Sequence, residues 1–542
     1  MNLNGNSRFS LAPRSEIQRS VFDRSFSHKT TFNAGDLVPV YFEDVLPGDT
    51  VSLDLSSICR MTTPLYPVMD NSWLDFHFFF VPMRLVWEHS KEFFGESQEA
   101  WDDDTDYEIP HTSFTVNPGT FFDYIGVIPQ SPVDISTLPW RAYCLIWNEW
   151  FRDQNLQSPL LVSKGDQGDS VTVNYQPSLM NTSLLKVNKY KDYFTSCLPS
   201  PQKGADVSIG LGDWAPVKTR SNADVYPLTS SVGPGLRFNN ANLIPGTSPT
   251  GRLDVVNGAV MTGVSDGTLG SFALSPVNLW ADLSSAVAPT INDLRHAFAI
   301  QRLLELDARG GSRYRELVKA HFGVDTGDSR VQVPEYLGGK HIPINVSQVI
   351  QQSNVSDAPT PLGNTGAFSK TVDRGSIFTK SFTEHGFLMG FCSVRTDHTY
   401  QQGVPRSLMR RNRYDFYWPE LAHIGEQPVK VSEIYADADP TNELVFGYQE
   451  AWADYRYSPN RVSATFRSNA PGTLDVWHYA DDYASRPYLS SGWIAETSAN
   501  IARTLAVQDT GTSDQFLLDC YFKATWARPM PVYSIPGLGG HF

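Results

Sequence analysis

The sequence predicts a mainly β protein, a β-sandwich with long insertions between its strands and only a few short helices. Aromatic residues make up 12% of the chain and charged residues 19%, while 39 glycines and 36 prolines supply turns. Segments near both ends alternate apolar and polar residues, which is the period of a half-buried strand. Such a composition is typical of strands, long loops and large contact surfaces.

Five segments predict strands: residues 51–55, 73–81, 387–394, 474–478 and 516–526. Four of them alternate apolar with polar side chains, so that the apolar ones share one face. The segment 387–394 is instead a continuous apolar run. Because strands occur near both ends of the chain with long excursions between them, we expect the first and last strands to share one sheet.

Three segments have helical spacing, at 139–151, 290–310 and 312–323. The first is apolar on nearly every side, which predicts burial. The second begins with the spacing of a capping box and places Leu294, Phe298 and Leu304 on one face. Ser312 is expected to cap the third helix and Gly323 to end it.

The chain is predicted to divide into an N-terminal arm, a core and an insertion. Residues 1–35 have more basic than acidic side chains and no sustained helical or strand period, which predicts an arm outside the core. Residues 201–280 hold eleven of the 39 glycines, together with many Ser, Thr, Asn and Pro residues. We interpret them as an outgrowth of turns and short strands. The core then comprises residues 36–200 and 281–542.

The acidic charge limits the partners of this chain. Its net charge is −15 and its pI is near 5.2. Because non-specific affinity for nucleic acid comes from neutralising phosphates with Lys and Arg, any DNA contact must be local or assisted by a basic partner.

The most basic stretch is 406–418, with the sequence RSLMRRNRYDFYW. Arginines beside aromatic rings suit single-stranded nucleic acid, because guanidinium groups bind phosphate and rings stack on bases. Salt bridges within or between subunits explain the same arginines equally well. The predicted DNA-facing residues, taken from this stretch and from the arm, are Arg14, Arg19, Arg24, Lys29, Arg406, Arg410, Arg411, Arg413 and Tyr414.

The cysteines and the first residues indicate where the chain folds. Five cysteines lie far apart, without a CxxC pair, which predicts reduced, buried thiols and folding in a cytoplasm. Residues 1–11 lack the apolar stretch of a signal peptide. No apolar run approaches the roughly 18 residues of a membrane span, so we expect no membrane insertion.

Three patterns resemble sites of chemistry. Residues 263–267 match the GxSxG turn of hydrolases but lie in the glycine-rich insertion with no helix signal after them. Residues 102–108 carry clustered carboxylates but lack the glycine and the closing glutamate of an EF-hand. Asp481 and Asp482 are flanked by tyrosines, as in a carbohydrate cleft. We predict no catalytic residue, no metal site and no cofactor, apart from divalent ions at subunit contacts.

Long segments resemble one family. They include FDRSFSHKTTFNAGDLVPVYFEDVLPGDT at 22–50, LPWRAYCLIWNEWFRDQNL at 138–156 and TDHTYQQGVPRSLMRRNRYDFYWPELAHIGEQPV at 396–429. Further segments at 76–96, 292–316, 334–352 and 446–467 follow the same order and leave out the insertion. The chain resembles the major capsid proteins of the gokushovirus branch of the microviruses, small phages with circular single-stranded DNA.

The resemblance implies an eight-stranded viral jelly roll and a T=1 shell of sixty copies that encloses single-stranded DNA. It implies a virion protein that assembles in the host cytoplasm with an internal scaffolding protein, a pilot protein and a small basic DNA-binding protein. The insertion at 201–280 would form a protrusion at the three-fold axis that contacts a host receptor. The residues predicted to face that receptor are Val225, Tyr226, Leu236, Arg237, Phe238, Asn239 and Asn240.

Two other functions stay open at this point. A carbohydrate-active enzyme or lectin on a β-sandwich would use acidic loops and some of the 13 tryptophans and 23 tyrosines. A tail or fibre adhesin would also bind host surfaces, but as an elongated trimer.

Overall fold

The computed structural model describes residues 18–96, 107–129, 132–168, 183–207, 291–311, 313–328, 330–352, 362–437, 440–508, 511 and 513–533, together with seven short strands between residues 217 and 281. One compact unit runs to Lys203 and resumes at Glu305, and the other comprises Gly204–Leu304. The limits predicted for arm, core and insertion stay predictions.

A β-sandwich forms the centre of the first unit. Its strands are β1 (Ser20–Asp23), β2 (Phe26–Phe32), β3 (Val38–Val45), β4 (Thr50–Met61), β5 (Ser72–Pro82), β6 (Glu335–Pro343), β7 (Thr371–Ser381), β8 (Gly386–Thr396) and β9 (Phe516–Arg528). In one sheet β1 and β2 pair with β9, β9 pairs with β4, and β4 pairs with β7. The second sheet has the order β6-β5-β8-β3, and the pairs in both sheets are antiparallel.

The strand order is that of a jelly roll. β1 and β2 follow each other along the same edge of β9, so they occupy a single position. Counted this way, eight positions divide between the two sheets, in the order first-eighth-third-sixth in one and second-seventh-fourth-fifth in the other. The predicted eight-stranded sandwich is confirmed, as is the shared sheet of the first and last strands.

Aromatic side chains fill the space between the sheets. The Phe522 ring of β9 is fully buried, with its centroid 5.0 Å from that of Tyr41 and 5.3 Å from that of Phe26. Along β9 the residues alternate between buried and more exposed, because every second side chain points away from the sandwich. The predicted periods of β4 and β9 are therefore confirmed. In β5 the face expected to be partly polar is largely buried as well, since Asp75 and Phe79 are both covered.

A buried helix explains the continuous apolar run in β8. Helix α1 (Leu138–Ile146), continued by a π-helical turn at Trp147–Phe151, covers the outer face of the second sheet, where the Tyr143 ring stacks 5.5 Å from Phe391. The Tyr143 hydroxyl donates to the Leu37 carbonyl at 2.7 Å. Since β8 has the first sheet on one face and α1 on the other, both of its faces are apolar. The predicted burial of this helix is confirmed.

The other two helices form as predicted. Helix α2 spans Ile291–Gly310 and helix α3 spans Tyr314–Phe322, and Gly323 ends α3 with a φ of 67°. Arg313 is the N-cap of α3, and Ser312 lies outside the described residues. On the apolar face predicted for α2, the Phe298 side chain is 66% and the Leu294 side chain 37% exposed, whereas Leu304 is half-buried.

Two local expectations are wrong. Residues 20–32, expected to lack a strand period, form β1 and β2. In β2 the side chains of Ser27, Lys29 and Thr31 are exposed, while Phe32 on the other face is buried. Residues 474–478, expected to be a strand, contain a 3₁₀ turn at Asp475–Trp477. The Leu474 amide donates to the Thr465 carbonyl at 2.8 Å, which folds this segment onto a neighbouring loop instead of a sheet.

The remaining elements of the first unit are short. Its other strands are His111–Thr115, Pro132–Ser136, Val346–Ile350, Thr365–Ser369, Thr399–Tyr400, Glu426–Lys430, Val445–Glu450 and Asn460–Arg461. Its short α-helices are Ser90–Phe93, Phe121–Tyr124, Arg406–Met409, Val431–Ile434, Ser491–Ile494 and Ala499–Ala502. Further 3₁₀ turns lie at Met83–Leu85, Arg413–Asp415, Pro419–Leu421, Pro440–Glu443, Ala453–Tyr455 and Ala464–Phe466.

The second unit contains short antiparallel strands before α2. Phe238–Asn240 pairs with Thr250–Gly251 and with Leu274–Pro276. Leu253–Val256 pairs with Ala259–Thr262, and Val217–Thr219 pairs with Leu279–Ala281.

The central position of Phe522 generates a prediction. Replacing Phe522 by Ala should lower the free energy of unfolding by about 3–5 kcal/mol, because it removes buried apolar surface and leaves a cavity between the sheets. Chemical denaturation of the unassembled chain measures this. The matched control is Tyr521→Ala, one residue away and 48% exposed, which should change the stability by less than about 0.5 kcal/mol. Equal losses in both variants would contradict the assigned register.

Candidate nucleic-acid interface

The basic stretch 406–418 folds into a short helix and a capped turn. Arg406–Met409 is helical and Arg413–Asp415 forms a 3₁₀ turn. The Asp415 carboxylate accepts hydrogen bonds from the amides of Arg411 (2.8 Å) and Asn412 (2.7 Å). This cap fixes the backbone in a turn on the surface of the first unit.

Two of the candidate arginines are held inside the subunit. The Arg406 guanidinium lies 3.3 Å from the Glu433 carboxylate and donates to the Pro428 carbonyl at 3.0 Å. Arg410 pairs with Asp454, and its guanidinium lies 4.3 Å from the centre of the Tyr455 ring. For these two residues the salt-bridge interpretation fits the geometry better than DNA contact.

The other three candidates of the stretch face outward. Within the described residues, the side chains of Arg411 and Tyr414 have neither a hydrogen-bond nor an ion-pair partner, and Tyr414 is 73% exposed. The Arg413 guanidinium lies 4.5 Å from the centre of the Trp418 ring, whose indole N–H donates to the Arg413 carbonyl. Cations and rings that are free to meet a ligand therefore occur together here.

A neighbouring pocket adds two arginines that the sequence prediction missed. This pocket of about 600 Å³ is lined by Arg406, Arg461, Arg467 and Tyr457, among others. Arg467 donates to the Gln401 carbonyl at 2.7 Å, and Arg461 is exposed. The signal was present in the sequence, because arginine and tyrosine residues recur between positions 455 and 467.

The candidates in the predicted arm are placed less favourably for DNA. Arg14 lies outside the described residues. Arg24 pairs with Glu43 at 2.5 Å, and Arg19 donates to the Thr50 hydroxyl and to a carbonyl of β9. Lys29 lies 3.5 Å from Asp519 in an exposed pair. Their contact with DNA stays a prediction.

The candidate receptor-facing residues lie in the second unit. Phe238, Asn239 and Asn240 form the central strand of its three-stranded sheet. The others, Val225, Tyr226, Leu236 and Arg237, lie outside the described residues, as do residues 263–267 and 102–106.

Asp481 is part of a buried ion network and not of a substrate cleft. The residue is 3% exposed, and its carboxylate accepts from His398 at 3.0 Å and from Lys189 at 3.2 Å. The other nitrogen of His398 lies 3.1 Å from the Glu496 carboxylate, so two carboxylates face two cations. All the charge is paired internally, which leaves Asp481 no capacity to act on a sugar.

Charge neighbours set the protonation of this network. Burial alone would lower the pKa of His398, but the charges of and hydrogen bonds to Asp481 and Glu496 outweigh it and raise the pKa to about 10. Burial would raise the pKa of Asp481, but His398 and Lys189 hold it well below its usual range. At neutral pH His398 is therefore cationic and Asp481 anionic.

The thiols and potential metal ligands show no reactive arrangement in the described part of the chain. All five cysteines are free and buried, as predicted, and burial raises the pKa of the Cys59 thiol to about 12. Among the described residues, no three His, Cys, Asp or Glu side chains are grouped to hold a metal ion. None of the described helices is both long and apolar enough to cross a membrane.

These features define a class of protein: a jelly-roll building block with exposed aromatic surface and with its buried carboxylates paired internally. The family follows from comparison with known proteins. The model of the family described as "Capsid protein (F protein)" matches residues 10–538. The chain belongs to this capsid protein family, is a structural protein and not an enzyme, and has its place in the virion.

Three phage proteins named "Capsid protein VP1" are similar to the chain over nearly its whole length. The protein of Bdellovibrio phage phiMH2K is 41% identical, covering 98% of this chain and 98% of its own length. That of Spiroplasma virus 4 is 40% identical over 98% and 97%, and that of Chlamydia phage 1 is 39% identical over 98% and 97%. The resemblance to gokushovirus capsid proteins is confirmed.

The buried network generates a pH prediction. Since the pKa of His398 is raised from 6.5 to about 10, its contribution to stability is complete below about pH 6.5 and declines as the pH rises toward 10. The free energy of unfolding should therefore fall over this range, as followed by denaturation at a series of pH values. In His398→Gln this decline should be smaller, and the stability at pH 6.5 should be lower by about 3–5 kcal/mol.

The control for this experiment is His423→Gln, because the His423 side chain is exposed. It should keep both the stability and the pH profile of the unmodified chain. A His398→Gln variant with an unchanged profile would show that the network does not carry this pH dependence.

Proposed function

We propose that copies of this chain assemble into a closed T=1 shell of sixty subunits that encloses circular single-stranded DNA. The observation that carries the proposal is the apolar surface left in solvent. In helix α2 only Ala308 is buried, while Ile291 is 71% and Phe298 is 66% exposed. Large exposed apolar areas mark surfaces that a partner covers, and a capsid family implies that further copies of the chain are among the partners.

The names of the relatives support the coat role. Each relative is a phage protein named for the capsid, and the likeness extends along the whole chain. A closed shell needs several different contact faces on each subunit, and exposed aromatic side chains supply good anchors for them.

DNA contact is proposed for the outward-facing residues Arg411, Arg413 and Tyr414. Because the net charge of each subunit is −15, the interior requires help from a small basic DNA-binding protein and from screening cations, divalent ions included. An internal scaffolding protein and a pilot protein complete the proposed assembly in the host cytoplasm.

Host attachment is proposed for the predicted insertion at residues 201–280, as a protrusion at the three-fold axis. Its support is the compact second unit at Gly204–Leu304, which is separate from the sandwich that builds the wall. A separate unit can vary without disturbing the core, as attachment surfaces require.

Shell formation and attachment are tested together. Particles produced in host cells should appear as closed icosahedral shells with sixty copies by electron microscopy. A variant that lacks residues 205–275, with a short linker bridging the gap, should still close into shells, because the sandwich and its contacts are retained. Such particles should adsorb to host cells at least about tenfold less than unmodified ones.

Open rods or monomers from the unmodified chain in the presence of its helper proteins would contradict the shell. Unchanged adsorption of the shortened particles would contradict the role of the insertion in attachment. If the shortened chain is insoluble, the segment belongs to the folding core.

The DNA proposal distinguishes arginines that are exposed on the subunit from arginines that are paired within it. Arg411→Ala combined with Arg413→Ala should lower the amount of packaged DNA and leave the free energy of unfolding within about 0.5 kcal/mol of its original value. The matched control is Arg410→Ala, which removes the partner of the half-buried Asp454. It should lower stability by about 1–3 kcal/mol.

DNA content is measured from the absorbance ratio of purified particles, and stability is measured on the unassembled chain. Full DNA content in the double variant would exclude these two arginines from the DNA contact.

A further inference from the structure

Between β6 and β7 a hairpin projects from the sandwich, and its apolar side chains are exposed. Its strands, Val346–Ile350 and Thr365–Ser369, pair with each other in antiparallel register. At its base the Asn345 carbonyl accepts from the Ser369 hydroxyl at 3.0 Å, and Val346 packs against the core. Beyond this base the hairpin extends into solvent.

Both faces of the hairpin are apolar and exposed. Val349 is 47% and Phe368 is 50% exposed, and Ile350 is 49% exposed. In this register Val349 lies opposite Gly366 and is the diagonal neighbour of Phe368, so these two apolar side chains share one face. Ile350 projects from the other face.

The edges of the hairpin are unpaired as well. Among the described strands, neither Val346–Ile350 nor Thr365–Ser369 has a second strand neighbour. A two-stranded hairpin alone is only marginally stable in water, and free strand edges are templates for pairing with another chain. The hairpin therefore has the surface of an element that a partner covers.

The charge of the segment identifies the kind of partner. Between Lys340 and Lys370 the only charged residue is Asp357, although charged residues make up 19% of the chain. The centres of protein interfaces are depleted in charge in this way. Nucleic acid would require Lys or Arg, and a small basic protein would require clustered Asp or Glu. The segment offers neither, so its partner is a neutral, partly apolar protein surface.

We propose that this hairpin docks on a second copy of the same chain and forms one of the contacts between subunits in the shell. The inference rests on the proposed assembly, in which every subunit meets further copies of itself. It adds a particular contact, built from main-chain edges and from Val349, Ile350 and Phe368.

A single introduced thiol tests the contact. All five native cysteines are buried, so Val349→Cys adds an exposed thiol to a background of unreactive ones. In the unassembled chain a maleimide should modify this thiol rapidly, whereas in purified particles modification should be at least about tenfold slower. The same particles, dissociated with denaturant, provide the control for full reactivity, and unmodified particles provide the background.

Crosslinking identifies the occupant. A benzophenone group attached to the introduced thiol before assembly should give covalent dimers of this chain when particles are irradiated. Phe368→Cys, on the same face of the hairpin, repeats both measurements if the first variant does not assemble.

The two proposals fail in different ways. Closed shells in which the thiol reacts as fast as in the free chain, or crosslinks only to DNA or to another protein, would overturn the hairpin contact and leave the shell proposal intact. Absence of shells from the unmodified chain would overturn the assembly proposal itself.

Discussion

The pairing of β9 with β4 is the constraint on which the rest of the structure depends. It joins Phe516–Arg528, near the end of the chain, to Thr50–Met61, near its start, over twelve residue pairs from Phe516↔Met61 to Ala527↔Thr50. Because this ladder lies at the centre of the first sheet and joins the two ends of the chain, the segment between the two strands can carry long insertions while the sandwich stays intact. The aromatic side chains of the core then pack between two sheets whose first and last strands are held together.

Buried charges attach the loops that carry Tyr190, His398 and Glu496 to the strands of the two sheets. Asp75 of β5 accepts from Arg395, His341 and Tyr190, each at 2.6 Å. Near the end of β8, the hydroxyl of Thr396 donates to Glu496, which also faces His398. Breaking such a pair leaves an unpaired charge in the interior, which is costly, so these contacts specify one arrangement of the loops.

The alternation of buried and exposed side chains could be predicted from the sequence, because apolar and polar residues alternate with the same period. The alternation in β4 and β9 and the apolar helix α1 are predicted correctly for this reason. The alternation at 474–478 misleads because five residues hold too little pattern, and the missing period at 20–32 misleads because strands with one solvated face can be largely polar. The amphipathic pattern of α2 predicts an apolar face but not which molecule covers it, and within the single chain most of that face is exposed.

The sequence by itself determined the class of fold, the capsid family and the acidic balance, because these follow from local periods, composition and long matched segments. Only the tertiary structure decided which arginines are free. Arg406 and Arg410 are neutralised by Glu433 and Asp454, which the fold brings from far along the chain, whereas Arg411 is not. Only the tertiary structure also shows that the apolar side chains of the hairpin after β6 are exposed, because exposure depends on what packs nearby and not on the residues alone.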